Sequence, residues 1–142
     1  MTYQRILVPI DFSDDSLTAF QVALDHFAGQ DKTLVLLHVV DPADSQLQQP
    51  AEIRAGLVEE RRRRMNTLGN SRKDGWKEVV TLTESGKPAD VIIATSKNES
   101  ADLIIMGSHG SSGLGKVLFG STTYDVARKV KCSVMISKRP AA

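Results

Sequence analysis

A glycine-rich stretch at residues 107–121 is the part of this sequence whose residue types point most directly to ligand chemistry. It follows the apolar run Ile104, Ile105 and Met106 and holds five glycines in fifteen residues. Glycine lets backbone amides approach a ligand closely and adopt positive φ, and a helix that starts after the loop adds free amides. A plain surface turn would also tolerate glycine, but loops of about a dozen residues in compact domains are more often functional. The stretch therefore predicts a phosphate-binding loop.

The P-loop motif fits this stretch poorly. Gly110, Gly115 and Lys116 reproduce its glycine and lysine spacing, but Val117 stands where the motif needs a Ser or Thr hydroxyl for Mg²⁺. The lysine also comes late in a long loop, whereas a P-loop follows its strand directly. We therefore reject a P-loop.

Four other residues invite a chemical role. Asp11 ends the first apolar run, beside the crevice in which open parallel sheets bind ligands, although it could instead help to cap the next helix. His38 lies in a buried strand pattern typical of a hydrogen-bonded core residue, and His109 could contact phosphate from the loop. Neither histidine has partners at metal-ligand spacing, and Cys132 lacks a neighbouring base or CxxC partner. We predict no metal site, no catalytic residue and a Cys132 that packs as a small hydrophobe.

The strands that must position these residues are short apolar runs. Low polarity and β-branched residues predict five of them, at residues 5–10, 33–40, 78–82, 102–106 and 132–137. Residues 41–50 are polar, contain two prolines and predict a mobile loop.

Four helices are predicted between the strands. Ser13 should cap the first and Gly29 should end it, with apolar residues at helical spacing packed below, namely Leu17, Phe20, Leu24 and Phe27. A charged surface helix is predicted at residues 51–68, a third from Pro88 to about residue 98, and a fourth, capped by Ser121, to about residue 129. Strict alternation predicts one open parallel sheet with helices on both faces and a ligand site at the carboxyl ends of its strands.

Length and composition describe one ordinary globular domain spanning residues 1–142, with 41% hydrophobic and 25% charged residues. A net charge of +1 gives no general attraction to nucleic acid or to an anionic membrane. The basic run 61–64 follows Glu59 and Glu60 at the spacing of helical ion pairs and indicates a solvated helix face. A single cysteine, no secretory signal and no run of bilayer length predict a cytoplasmic protein without a membrane partner.

The glycines also fit a second spacing, G-x2-G-x9-G-[S/T], formed by Gly107, Gly110, Gly120 and Ser121. Here the sequence resembles the ATP-binding branch of the universal stress protein family. The resemblance extends to ILVPIDFS at residues 6–13, LLHVV at 36–40, ADLIIMGSHG at 101–110 and the closing strand. It implies a Rossmann-like, five-stranded parallel sheet in the order 3-2-1-4-5, with nucleotide lying across strands one and four.

The resemblance also implies a set of ATP-binding residues, which are Pro9, Ile10, Asp11, Val39, Met106, Gly107, Ser108, His109, Gly110, Gly120, Ser121 and Thr122. The first three would border adenine and ribose, with the Asp11 carboxylate accepting from a ribose hydroxyl. The Val39 backbone would pair with the adenine edge, and Met106 would form a wall of the pocket. Gly107 and Gly110 would receive ribose and triphosphate, while residues 120–122 would bind phosphate oxygens, mainly through backbone amides.

The function expected from this resemblance is that of an ATP-binding stress-response or signalling protein. Mg²⁺ could accompany the phosphates, and hydrolysis should be slow because no phosphoryl-transfer machinery is apparent. A nucleotidyl or phosphoryl transferase, with His109 or Lys116 acting on the leaving phosphate, remains the alternative. A flavin-type electron carrier fits poorly with 5% aromatic residues. The resemblance further implies a homodimer through the edge strand that contains Val134, Met135 and Ile136.

Overall fold

The computed structural model describes residues 2–108 and 120–138. Strands and helices alternate along the chain. In order they are β1 (Arg5–Pro9), α1 (Asp14–His26), β2 (Gly29–Val40), α2 (Ala51–Asn70), β3 (Trp76–Ser85), α3 (Pro88–Asn98), β4 (Leu103–Gly107), α4 (Ser121–Lys129) and β5 (Ser133–Ser137). Two single 3₁₀ turns, Ser45–Leu47 and Lys73–Gly75, flank α2.

The five strands form one parallel sheet in the order β3-β2-β1-β4-β5. The chain moves outward from β1 to β3 on one side and then crosses back to β4 on the other. The strand order therefore reverses between β1 and β4, which leaves a crevice at their carboxyl ends. The expected α/β fold and strand order are confirmed.

Alternate residues of the central strands enter two separate cores. Ile6, Leu34 and Ile105 belong to a cluster on the face covered by α1 and α2, which also supply Phe20 and Met65. Leu7, Val35, Ile104 and Met106 belong to a second cluster, with Ile92 of α3 and Val126 of α4. Burial on both faces explains why these strands read as continuous apolar runs.

Helix α1 begins as expected but ends differently. The Ser13 hydroxyl accepts from the Ser16 N–H at 3.2 Å, so Ser13 is confirmed as the cap. Gly29 does not end the helix, which stops at His26, because Gly29 already opens β2 opposite Trp76. Leu17 was expected to pack but is 36% exposed, since Ala19, Phe20 and Ala23 occupy the buried stripe.

Other boundaries differ because pairing extends the strands. β2 begins four residues early and β3 runs well beyond residues 78–82 at both ends, since the two strands pair from Gly29 and Trp76 to Val40 and Ser85. Helix α3 begins at Pro88 and ends at Asn98, as expected. Across the described residues, we find no helix with the length and apolar character needed to cross a bilayer.

Candidate functional site

The carboxyl ends of β1 and β2 leave a backbone edge open toward the crevice. Their ladder ends at Pro9 and Leu37, and the Ile10 N–H adds one last bond to the Leu37 carbonyl at 2.7 Å. The Val40 carbonyl accepts instead from Gly86, on the β3 side. Alternate strand residues direct their N–H and C=O to alternate sides, so Val39 directs its groups toward β1 but beyond the end of its ladder. Among the residues that the structure describes, no backbone group pairs with the Val39 N–H or C=O on the β1 side, so one donor and one acceptor lie side by side.

Asp11 stands just beyond β1 and belongs to the capping network of α1. Its carboxylate accepts from the Ser13 N–H at 3.0 Å and from the Ser13 hydroxyl, while its own N–H donates to the Ser16 hydroxyl at 3.3 Å. The helix-capping role that was the alternative for Asp11 is therefore present in the structure. Ile10 is almost fully buried, so its side chain belongs to the core.

Gly107, the last residue of β4, is required by packing. A Cβ built on it would lie 2.7 Å from the main-chain carbon and oxygen of Asp15, so only glycine lets α1 approach β4 this closely. Next to it, Met106 is 5% exposed and packs in the α3/α4 core, and Ser108 is buried with its N–H donating to the Ser137 carbonyl at 3.2 Å. This end of β4 is a fixed support.

The start of helix α4 is hydrogen-bonded to the end of β4. The Gly120 N–H donates to the Ser108 carbonyl at 2.8 Å, and the Thr123 hydroxyl donates to the Gly107 carbonyl at 3.0 Å. Gly120, not Ser121, is the N-cap, and no side chain of the described residues caps the helix; the expected cap role of Ser121 is wrong. Because the first amides of a helix lack intrahelical acceptors, those of Ser121 and Thr122 have no acceptor within α4, at the helix end that lies beside β4.

His109 and Gly110, which the sequence also placed in the site, lie outside the described residues. The structure does bring together the ends of β1, β2 and β4 and the start of α4. Val39 and Met106 belong to the α3/α4 face, and Asp11 extends from the neighbouring strand end.

A second group of side chains, which sequence reasoning missed, lies at the same edge on the α1/α2 face. Phe12 has φ of 65°, which is unusual for a bulky residue. Its ring lies 5.2 Å from the His38 ring, and the Arg64 guanidinium lies 3.9 Å above the ring centre. Neither the positive φ nor contacts between segments this far apart leave a local sequence signal.

His38 is a hydrogen-bonded core residue, as expected. It is 3% exposed, and its Nδ1 lies 2.7 Å from the Ile10 carbonyl. A carbonyl only accepts, so Nδ1 carries the proton. Burial lowers the pKa of His38, the Ile10 hydrogen bond acts in the opposite sense, and Arg61 and Arg64 lower the pKa further.

The loop after β2 is tied to α2. One Arg61 nitrogen donates to the Asp44 carboxylate at 2.9 Å and to the Gln46 side chain at 3.0 Å, and Leu47 is buried. Burial would raise the pKa of Asp44, but the Gln46 N–H and Arg61 outweigh it and lower that pKa. The basic run is therefore a solvated face only in part: Glu60 pairs with Arg63 at 2.8 Å as expected, whereas Arg61 reaches another segment.

The described residues contain no group of three or more His, Cys, Asp or Glu side chains that could hold a metal ion. Cys132 is half-buried and packs against the α3/α4 core, and burial raises the pKa of its thiol. A raised pKa disfavours the thiolate, which agrees with a packing role.

Comparison with known proteins places the chain in a family. The model of the universal stress protein family matches residues 2–138. Universal stress protein MJ0577 of Methanocaldococcus jannaschii is 28% identical over 96% of this chain and 96% of its own. The solved MJ0577 structure superposes with a TM-score of 0.87 at 29% identity and covers both chains completely. A universal stress protein solved in complex with cAMP gives a TM-score of 0.70 at 25% identity, over 97% of this chain and 98% of its own. This chain belongs to the universal stress protein family.

Proposed function

We propose that this protein binds ATP at the carboxyl edge of β1 and β4 and acts as a nucleotide-dependent stress-response or signalling protein in the cytoplasm. The observation that carries the proposal is the pairing of two features across one crevice. The open Val39 backbone lies on one side, and the uncapped start of α4 at Ser121 and Thr122 lies on the other. A base and a phosphate chain need these two kinds of contact.

The open Val39 backbone supports adenine recognition. Adenine presents an exocyclic N–H donor beside a ring-nitrogen acceptor, and the Val39 C=O and N–H provide the complementary pair. Pro9 and Ile10 border this position from β1, and the Asp11 carboxylate would accept from a ribose hydroxyl beside its contacts to Ser13. Met106 would close the pocket from β4.

The phosphates would lie along the glycine-rich segment. Gly107 and Ser108 form its fixed beginning and Gly120 its fixed end, and the 2.8 Å bond between Ser108 and Gly120 joins the two. His109 and Gly110 would contact the phosphates between these points. The amides of Ser121 and Thr122 would then receive phosphate oxygens at the positive end of the α4 dipole.

The related structure in complex with cAMP supports an adenine nucleotide as the ligand class. We take ATP as the nucleotide because residues 107–121 provide more phosphate donors than a monophosphate needs. Mg²⁺ would come with the triphosphate, since this ion is often held by phosphate oxygens and water. We expect hydrolysis to be slow at most.

We also propose that the protein is a homodimer. β5 ends the sheet, and Met135 on it is 37% exposed, so the strand offers an apolar edge to a symmetry mate. Val134 and Ile136 would flank Met135 in that contact.

The proposal is tested by identifying what the protein carries from the cell. Freshly purified protein is denatured, and the small molecules that it releases are identified by mass spectrometry. ATP and GTP are then titrated separately into protein from which bound ligand has been removed, and their affinities are measured by calorimetry. We expect ATP to be released or to bind, and GTP to bind much more weakly because its base presents the opposite donor and acceptor pattern. Equal affinity for ATP and GTP would contradict adenine recognition by Val39.

A further inference from the structure

Phe12, His38 and Arg64, which we call the Phe12 latch, lie in contact on the α1/α2 face, where Phe12 directly follows Asp11, the proposed ribose contact. The Phe12 ring contacts both of the others: its centre lies 5.2 Å from that of the His38 ring and 3.9 Å from the Arg64 guanidinium carbon. The three residues come from the β1–α1 loop, β2 and α2, so the latch joins three separate segments.

The backbone of Phe12 depends on such support. A bulky residue with φ of 65° is strained and persists only where its surroundings hold it. The contacts with His38 and Arg64 hold the ring, and the ring holds the backbone. If they are lost, the loop can relax toward ordinary negative φ, which would reorient the peptide that joins Phe12 to Asp11.

His38 holds the residue on the other side of Asp11. Its Nδ1–H donates to the Ile10 carbonyl at 2.7 Å. Asp11 therefore lies between a carbonyl fixed by His38 and a ring fixed by His38 and Arg64. The His38 ring therefore contacts both residues that flank Asp11, namely Ile10 and Phe12.

A second proton would not suit this imidazole. Nε2 is buried and has no hydrogen-bond partner among the described residues. Protonation would create a buried donor without an acceptor and a cation beside Arg61 and Arg64 of α2. Asp11 in the β1–α1 loop and Asp44 in the β2–α2 loop are the facing anions, and both favour the charged ring. Desolvation outweighs their attraction, so the charged ring is stabilised if it moves toward water.

We propose that the Phe12 latch positions Asp11 for nucleotide and that protonation of His38 opens it, so that the protein releases nucleotide as the medium becomes acidic. This inference rests on the proposed ATP site. His38, Phe12 and Arg64 are positioning residues, because the latch lies on the α1/α2 face while Val39 and Met106 face the other side.

The test compares wild type with His38→Asn. The asparagine amide can occupy the place of Nδ1–H and donate to the Ile10 carbonyl, but it does not titrate near neutral pH. ATP affinity is measured by calorimetry from about pH 7.5 down to about pH 4.5, because burial lowers the pKa of His38 and it gains its proton below the range of an ordinary imidazole. Titration of ATP itself is common to both proteins. We expect wild type to lose at least about fivefold more affinity than His38→Asn across this range.

Arg64→Met gives a second readout that does not depend on His38→Asn folding. Methionine keeps an apolar contact on Phe12 and removes the cation, so the pKa of His38, followed by NMR of its ring, should rise and affinity should begin to fall at a higher pH. Arg62→Met is the matched control: Arg62 lies two residues before Arg64 on α2 and pairs with Glu59, so this substitution should leave the His38 titration and the ATP affinity unchanged.

The outcomes separate the latch from the site. If wild type fails to bind ATP at about pH 7.5, the proposed function is wrong and the role of the latch in binding is wrong with it. If wild type binds but its pH profile matches that of His38→Asn, the latch is overturned and the ATP site stands. The latch is also overturned if Arg64→Met and Arg62→Met give the same His38 titration and the same affinities.

Discussion

Replacing Ser121 by proline removes one proposed phosphate contact while leaving the helix intact. Ser121 is the first residue of α4, and its N–H has no acceptor within the helix. Proline is favoured at this position, and the preceding Gly120, with φ of −70° and ψ of 164°, already has the extended backbone that a following proline requires. The variant therefore removes the Ser121 amide N–H and its hydroxyl while the helix backbone is kept.

The size of the effect follows from the charge of the acceptor. A hydrogen bond to a charged group contributes about 1.5–3 kcal/mol, which corresponds to about 10- to 150-fold in Kd. Ser121 is exposed, so we expect the lower end of this range, about tenfold weaker ATP binding. Ser121→Ala, which keeps the amide and removes the hydroxyl, should lose no more than about threefold because backbone donors dominate.

The assay is isothermal titration of ATP and of adenosine into wild type and both variants. Adenosine lacks phosphates, so its affinity should be the same in all three proteins. Unchanged ATP affinity in a folded Ser121→Pro protein would refute phosphate binding by this helix start. An equal loss for ATP and adenosine would mean that the substitution distorts the base pocket instead.

Three further outcomes are expected. Gly107→Ala places a Cβ against the Asp15 main chain and should lower the free energy of unfolding, measured in urea, by about 1–3 kcal/mol. The control Gly56→Ala adds a Cβ that meets nothing within 4 Å, so it should raise this free energy by up to about 1 kcal/mol. Equal effects of the two substitutions would contradict the packing role of Gly107. The fold lowers the pKa of His38 from 6.5, so the stability that neutral His38 contributes is present above that pH and is lost as pH falls through the lower folded value. Wild type should therefore lose more stability than His38→Asn below about pH 6.5. Parallel curves of stability against pH would contradict this. Met135→Glu should convert the dimer to a monomer, as judged by the mass measured by light scattering. A dimer mass that is unchanged in the variant would show that β5 does not form the interface.

The fold was predictable because its signals are local. Apolar runs buried on both faces, the Ser13 cap and Pro88 at a helix start are features of neighbouring residues, and the structure confirms each one. Gly29 shows the limit of such signals. Its type suggested a helix end, but its pairing with β3, far along the chain, makes it part of a strand.

The site was predictable only in outline. The segments after β1 and β4, which include Asp11 and the start of α4, were expected at the crevice because strand ends in a parallel sheet lie at one edge, whereas Val39 was implied only by the family resemblance. It did not reveal the Phe12 latch, since a positive φ at an aromatic residue exists only when tertiary contacts hold it. It also treated Arg61 as a solvated charge, whereas its partner Asp44 lies in a different segment.

The location of the nucleotide is the central claim, and amide NMR tests it most directly. Isotope-labelled protein is titrated with ATP, and the shift of each assigned backbone amide is followed. We predict saturable shifts at Val39, Ser121 and Thr122, with none at Lys77 near the opposite end of the sheet. Shifts that leave Val39 and Ser121 unmoved while ATP saturates another surface would contradict the account.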